Sequence, residues 1–195
     1  WHPYIQQTLQ EMAEAGISKT IGLAMAPHYS RMSIGEYFKR AEESGVPIEI
    51  ARIDRWNLLP GYLDAIAEQI RQALDCFPVE ARAGVPVIFT AHSLPQRILE
   101  WGDPYPKELE ETVQGVMQRL GDQPHTFAYQ SAAMTREPWL GPDAGEVIDR
   151  YAREGKTNLV IAPIGFVSEH VEILYDIDIV YQKQAKALGV HLERT

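Results

Sequence analysis

The chain is short of cysteine, of positive charge and of long apolar runs, and each shortage narrows what it can be. Cys76 is the single cysteine among 195 residues. That excludes an internal disulfide framework and a four-cysteine iron–sulfur cluster within this chain, and a reducing, cytoplasmic compartment is the simplest match. Lys and Arg number 18 against 27 Asp and Glu, for a net charge of −9. A general nucleic-acid or anionic-membrane surface needs clustered cations, so nucleic acid is not expected as a partner. No apolar run approaches the roughly 20 residues of a membrane helix. No transmembrane segment is therefore expected, which leaves room for peripheral membrane contact only. Neither GxGxxG nor GxxxxGK[ST] occurs, so a dinucleotide or P-loop reading has no motif behind it.

What is present is an alternation of helical and strand patterns in a chain of 45% apolar and 23% charged residues, the composition of a globular protein. Residues 3–15 open on Pro3, repeat apolar groups at helical spacing and stop at Gly16. TIGLAMA (20–26) reads as a buried strand. Residues 33–44 read as a helix capped by Ser33, with Glu36 three places on and Gly45 after it. Further strands are expected near 47–53, 86–91, 125–130, 158–162 and 190–194, and helices near 60–75, 106–120, 143–154 and 168–188. Continuous apolar strands between amphipathic helices predict βαβ units and a mostly parallel sheet covered on both faces. The chain opens on a helix and closes on a strand, HLERT, with no covering helix, so the expectation is a piece of a longer protein.

Ligands in open α/β sheets bind beyond the carboxyl ends of the strands, which gives weight to five segments: PHYSRMS, DRWN, AHSLP, YQSAAMT and PIGFVSEH. The last begins GFVSEHVEILYDIDIVY (165–181), a mostly apolar stretch that carries Glu169, His170, Glu172, Asp176 and Asp178. On an α-helix at about 100° per residue, Glu169, Glu172 and Asp176 fall within an arc of about 60°. Such a stripe reads either as a solvated surface or as a ladder for a hard cation or for protons. His92, directly after VPVIFTA, can ligate a metal, accept a proton or simply hydrogen-bond its loop. Ser93 beside it raises a hydrolase reading, but no GxSxG elbow supports it. Tyr29, Ser30, Ser33 and Tyr37 offer hydroxyls near Arg31, Lys39 and Arg40 and suit an acidic ligand, while Ser33 can equally be a cap and Tyr37 a packing residue. EPWLGPD and GDPYP read as structural corners, with Asp143 capping the helix that follows.

Taken together, WHP (1–3), APHYS (26–30), TAHSLP (90–95), GDPYP (102–106), YQS (129–131), WLGP (139–142) and GFVSEHVEILYDIDI (165–179) resemble the ferrochelatase family, in family order and spacing across nearly the whole chain. The resemblance implies two doubly wound, Rossmann-like, chelatase-type domains with parallel sheets: the latter half of the first over residues 1–56, and the second over 57–195. It implies no prosthetic group, with ferrous iron and a porphyrin, coproporphyrin III or protoporphyrin IX, as substrates. His92 matches the family's active-site histidine and Glu172 the glutamate facing it. Which takes the proton and which the metal stays open. Asp176 matches the next acidic step, with Glu169 a further candidate metal ligand. Tyr37, Ser33, Tyr29 and Tyr129 are the candidate porphyrin contacts. Where the family commonly has another carboxylate, this chain has Val180. A non-catalytic porphyrin or metal carrier, and a chelatase for another metal, are the alternatives.

Overall fold

A computed structural model describes residues 2–195. Helix α1 (Ile5–Glu14) ends at Gly16, whose φ of +81° is the left-handed turn a glycine makes without side-chain strain. Strand β1 (Lys19–Leu23) pairs in parallel with β2 (Glu49–Ile53), Thr20 opposite Ile50. Between them the chain winds as a π-helical turn, Arg31–Gly35, which runs into α2 (Glu36–Glu43). The expected cap at Ser33 is corrected to Ser30. The Ser30 hydroxyl oxygen accepts from the Met32 N–H at 3.2 Å, and its carbonyl accepts from Gly35 at 3.0 Å. The reason lies outside the local sequence. The Ser30 hydroxyl also donates to Asp103 at 3.1 Å, so a distant carboxylate decides where the turn begins.

The second sheet has four parallel strands in the order β4-β3-β5-β6, comprising β3 (Val87–His92), β4 (His125–Gln130), β5 (Asn158–Pro163) and β6 (His191–Arg194). Helices α3 (Pro60–Asp75) and α6 (Tyr105–Leu120) cover one face. The other is covered by α7 (Ala144–Arg153) and by a π-helical segment, Ile173–Tyr181, that continues into α8 (Gln182–Ala187). Two short helices, α4 (Val79–Arg82) and α5 (Arg97–Glu100), lay below the reach of periodicity. Helix α3 shows why the long elements were legible. Pro60 sits in its first turn, and Tyr62, Leu63, Ile66, Ala67, Ile70, Ala73 and Leu74 bury one stripe. Each large side chain in it contributes about 1.5–3 kcal/mol. Gly115 of α6 lets the two helices touch, since a Cβ there would meet Leu63 at 2.8 Å.

The final helix departs most from expectation. It was read as α-helix over 168–188, but helical structure begins only at Val171, and Ile173–Tyr181 is wound with wider, i→i+5 turns. The apolar face expected in the core is narrow as well. Only Ile173, Ile177 and Tyr181 are buried in the π segment, while Val171 is 75% and Tyr175 57% exposed.

The two sheets are joined through the loop after β1. The backbone N–H of Tyr29 donates to Glu108 at 2.6 Å and that of Arg31 to Asp103 at 2.8 Å, while Arg55 pairs with Glu108 at 2.9 Å. GDPYP is thus more than a corner: Asp103 also accepts from Tyr105 N–H at 3.0 Å and holds the incoming loop. Buried His28 meets Thr112 at 2.8 Å. The Thr112 hydroxyl lies 3.0 Å from the Glu108 carbonyl and donates to it, so Nε2 of His28 carries the proton donated to Thr112. Burial holds that imidazole neutral, with its pKa lowered to about 3.

Candidate functional site

The site is built where β3 ends. Along β3 the side chains alternate faces. Val87, Phe89 and Ala91 enter the core beneath α3 and α6, and Ile88 enters the opposite one. His92 therefore emerges on the face covered by α7 and the π segment, at the carboxyl edge of the sheet. The next residue is a fastener. Ser93 is 1% exposed, takes a backbone bond to Gln130 at 2.7 Å and donates its hydroxyl to Leu140 at 2.8 Å. That commitment removes the hydrolase reading. EPWLGPD is the structural corner expected of it: Leu140 N–H donates to Leu94 at 2.9 Å, Gln96 N–H to Pro138 at 2.9 Å, and Asp143 caps α7 through Gly145 N–H at 2.7 Å.

The loop from β5 brings the acidic segment over His92. Gly165 makes this approach feasible, because a Cβ there would come within 3.0 Å of the Ala91 side chain and 3.3 Å of its backbone. Phe166 then stacks edge-on against His170, 4.0 Å between ring centroids. Nδ1 of His170 accepts from the Glu172 N–H at 3.3 Å and so starts the helical turn. Glu172 arrives facing His92, with its carboxylate 3.5 Å from Nε2 and the two side chains 29% (His92) and 44% (Glu172) exposed. Nδ1 of His92 lies against the carbonyl of Ser93, which fixes the tautomer: Nδ1 holds the proton and donates. In the neutral ring, Nε2 thus turns a lone pair toward a carboxylate. Two acceptors face each other across a gap that a proton or a cation would fill.

One turn along, Asp176 accepts a hydrogen bond from the Ser131 hydroxyl. Ser131 has a φ of +60°, rare outside glycine. A backbone held in that region at a functional edge is a device for aiming a side chain. YQS had flagged the segment but not this serine. Glu169 is separated from the others. It precedes the helix and pairs with Arg194 at 2.9 Å. The row read as one stripe is therefore divided, with Glu172 toward His92, Asp176 held by Ser131 and Glu169 against a cation. Among the described residues, no three His, Cys, Asp or Glu side chains converge as a closed metal cage.

The candidate porphyrin residues are scattered. In register, Ala91 pairs with Tyr129 and His92 with Gln130, so Tyr129 projects from the opposite face to His92. Its ring is 7% exposed, edge-on to Phe127 at 4.9 Å, and desolvation pushes its hydroxyl up to about 12. Tyr129 is a core residue, and its expected porphyrin contact is corrected on that ground. Tyr29 is half-buried, with the Arg55 guanidinium 5.0 Å over its ring. Ser33 is half-buried in the π-helical turn. Tyr37 is exposed and lines a hollow of about 310 Å³ with Ile5, Leu9 and Phe38, apart from His92 and Glu172. A larger hollow of about 520 Å³, with Trp56, Tyr62, Phe166 and Arg194 in its wall, takes in Glu169 and Ile173 but neither His92 nor Glu172.

The family model described as Ferrochelatase matches residues 1–195. Ferrochelatase of Herpetosiphon aurantiacus is 47% identical over all of this chain and 65% of its own length, and that of Deinococcus radiodurans 41% over all of this chain and 63% of its own. Coproporphyrin III ferrochelatase of Geobacillus kaustophilus is 37% identical over 98% of this chain and 62% of its own length. The chain thus spans somewhat under two thirds of these relatives. Among solved structures, SirB from Bacillus subtilis with Fe3+ superposes with a TM-score of 0.66 at 11% identity, over 99% of this chain and 70% of its own. That likeness concerns the fold, a parallel α/β chelatase architecture. With a family model matched from end to end, this chain belongs to the ferrochelatase family.

Proposed function

We propose that the protein of which this chain is part inserts Fe2+ into a porphyrin, coproporphyrin III or protoporphyrin IX, in the making of haem. The observation that carries the reading is the His92 Nε2 facing the Glu172 carboxylate at 3.5 Å. The reaction takes two protons from pyrrole nitrogens and brings a dehydrating cation to the same place. A lone pair opposite a carboxylate serves both needs, accepting a proton on one side and holding the metal on the other. Asp176, aimed by Ser131, supplies the next oxygen along the path. The site's openness suits iron as a substrate in transit, with no prosthetic group required. Exposed Val171, Leu174, Tyr175 and Ile179 around the acids offer the apolar wall that a macrocycle needs.

In this reading residues 1–56 belong to one chelatase domain and 57–195 to a second, with Tyr29, Ser33 and Tyr37 on the porphyrin side. The protein works in the cytoplasm, and no helix among the described residues is long and apolar enough to cross a membrane. The test uses the whole protein, anaerobically, with Fe2+ and each porphyrin, followed by absorbance. His92→Ala should lower turnover about a thousandfold or more, roughly 4 kcal/mol of barrier, with the fold intact. Full turnover in a folded variant would sink the role of His92. Porphyrin binding without turnover in the wild type would point to a carrier, and preference for cobalt or nickel to another chelatase.

A further inference from the structure

The acids of the segment differ in what they face, and one side chain makes the difference. Arg194, near the end of β6, is held to the sheet by pairing with β5, where Ile161 is its register partner and accepts from Thr195 N–H at 3.1 Å. Its guanidinium reaches back over the segment. Nε and Nη2 grip the two oxygens of Asp178 at 2.7 and 3.2 Å, and Nη1 takes Glu169 at 2.9 Å. The arginine side chain is largely withdrawn from water, with 23% left exposed. A forked, two-point grip of this kind fixes direction as well as distance. Glu169 stands just before the helical turn and Asp178 within the π segment. Between them lie the residues that matter for the site, His170, Glu172 and Asp176.

We infer that Arg194 is a positioning residue for metal handling, a staple from the sheet edge that fixes both ends of the stretch 169–178 and thereby sets Glu172 opposite His92 and Asp176 against Ser131. The inference rests on the proposed function and deepens it. Two consequences follow from the geometry. Glu169 and Asp178 are both engaged by Arg194 and are not metal ligands, while Glu172 and Asp176 stand outside its grip and stay available to the metal.

The experiment compares Arg194→Met, Arg194→Lys and Glu169→Gln in the whole protein. Arg194→Met should raise the KM for Fe2+ about tenfold and leave the KM for porphyrin within about twofold. Arg194→Lys, which keeps the charge but not the fork, should recover part of the loss, and Glu169→Gln should move in the same direction by less. Zn2+ binding without porphyrin, measured calorimetrically, should weaken about as much as the KM rises, with His92→Ala as the control for the site. This second readout holds even if the wild type does not metallate a porphyrin, an outcome that would fell the proposed function alone. A lowered Tm in Arg194→Met with metal KM and Zn2+ affinity unchanged would make Arg194 merely structural and overturn the inference. So would lost metal affinity in Glu169→Gln beside unchanged affinity in Arg194→Met, since Glu169 would then be a ligand. Should Arg194→Met fail to fold, Arg194→Lys and Glu169→Gln decide by the same measurements.

Discussion

The two sheets of this protein are built to different depths. In the four-stranded sheet, Val87, Ile88, Phe89, Val160, Ile161 and Ala162 are all fully buried, with helices above and below. In the two-stranded sheet, the buried cluster is Ala24, Ile34 and Phe38, and Ile21, Leu23 and Ile53 stand exposed. The difference separates two halves of the candidate site. His92 and Glu172 rest on the thick sheet and are brought together by contacts within it. Tyr37 and Ser33 stand on the thin one. The His92–Glu172 pair is thus assembled within one packed unit, while the proposed porphyrin side lies on the other. Glu108, Asp103 and His28 join the two.

Deep truncation should break the comparison hardest. Phe89→Ala should cost about 3–5 kcal/mol, because it removes a large side chain from a fully buried site. A urea unfolding curve reads it, and a cost under about 1 kcal/mol would show that the thick sheet is less tightly packed than described.

A smaller effect falls at the join. His28 is neutral in the folded state, with its pKa lowered from 6.5 to about 3, so between those values the unfolded chain binds the proton and the folded one does not. Stability is therefore retained above pH 6.5 and declines as pH falls toward 3, by about 2 kcal/mol at pH 5. His28→Asn keeps a donor toward Thr112 and should flatten this acid limb. Identical losses between pH 7 and pH 5 in variant and wild type would assign the limb to other groups.

The thin sheet should respond least. Ile21 is 68% exposed, so Ile21→Thr should change stability by no more than about 0.5 kcal/mol. A loss above about 1 kcal/mol, or one that grows with protein concentration, would reveal that this face is covered in solution.

Periodicity placed α3 and β4 to the residue, because Pro60 marks a helix start and a buried stripe repeats every three or four residues. It failed where a distant partner intervened. Ser30 rather than Ser33 begins the turn before α2 because Asp103 holds it. Tyr129 matched a motif that also holds Ser131, yet β4 ends at Gln130 and the positive φ of Ser131 turns it away from the strand, so the two residues take different tasks. Ser131 left no signal of its own, since a positive φ is not written in a serine.

The sequence by itself determined the alternation of strands and helices and the parallel class, since both follow from local spacing and residue chemistry, while the facing of His92 and Glu172 was an expectation of the family resemblance alone. Tertiary structure alone decided which partner each acid meets. Four carboxylates within ten residues look alike along the chain. They become different only when Ser131, just past β4, bonds Asp176, His92 faces Glu172, and Arg194 from the sheet edge pairs with Glu169 and Asp178. Charge interactions reach across space rather than along sequence, so their outcome is set by what the fold brings within a few ångströms.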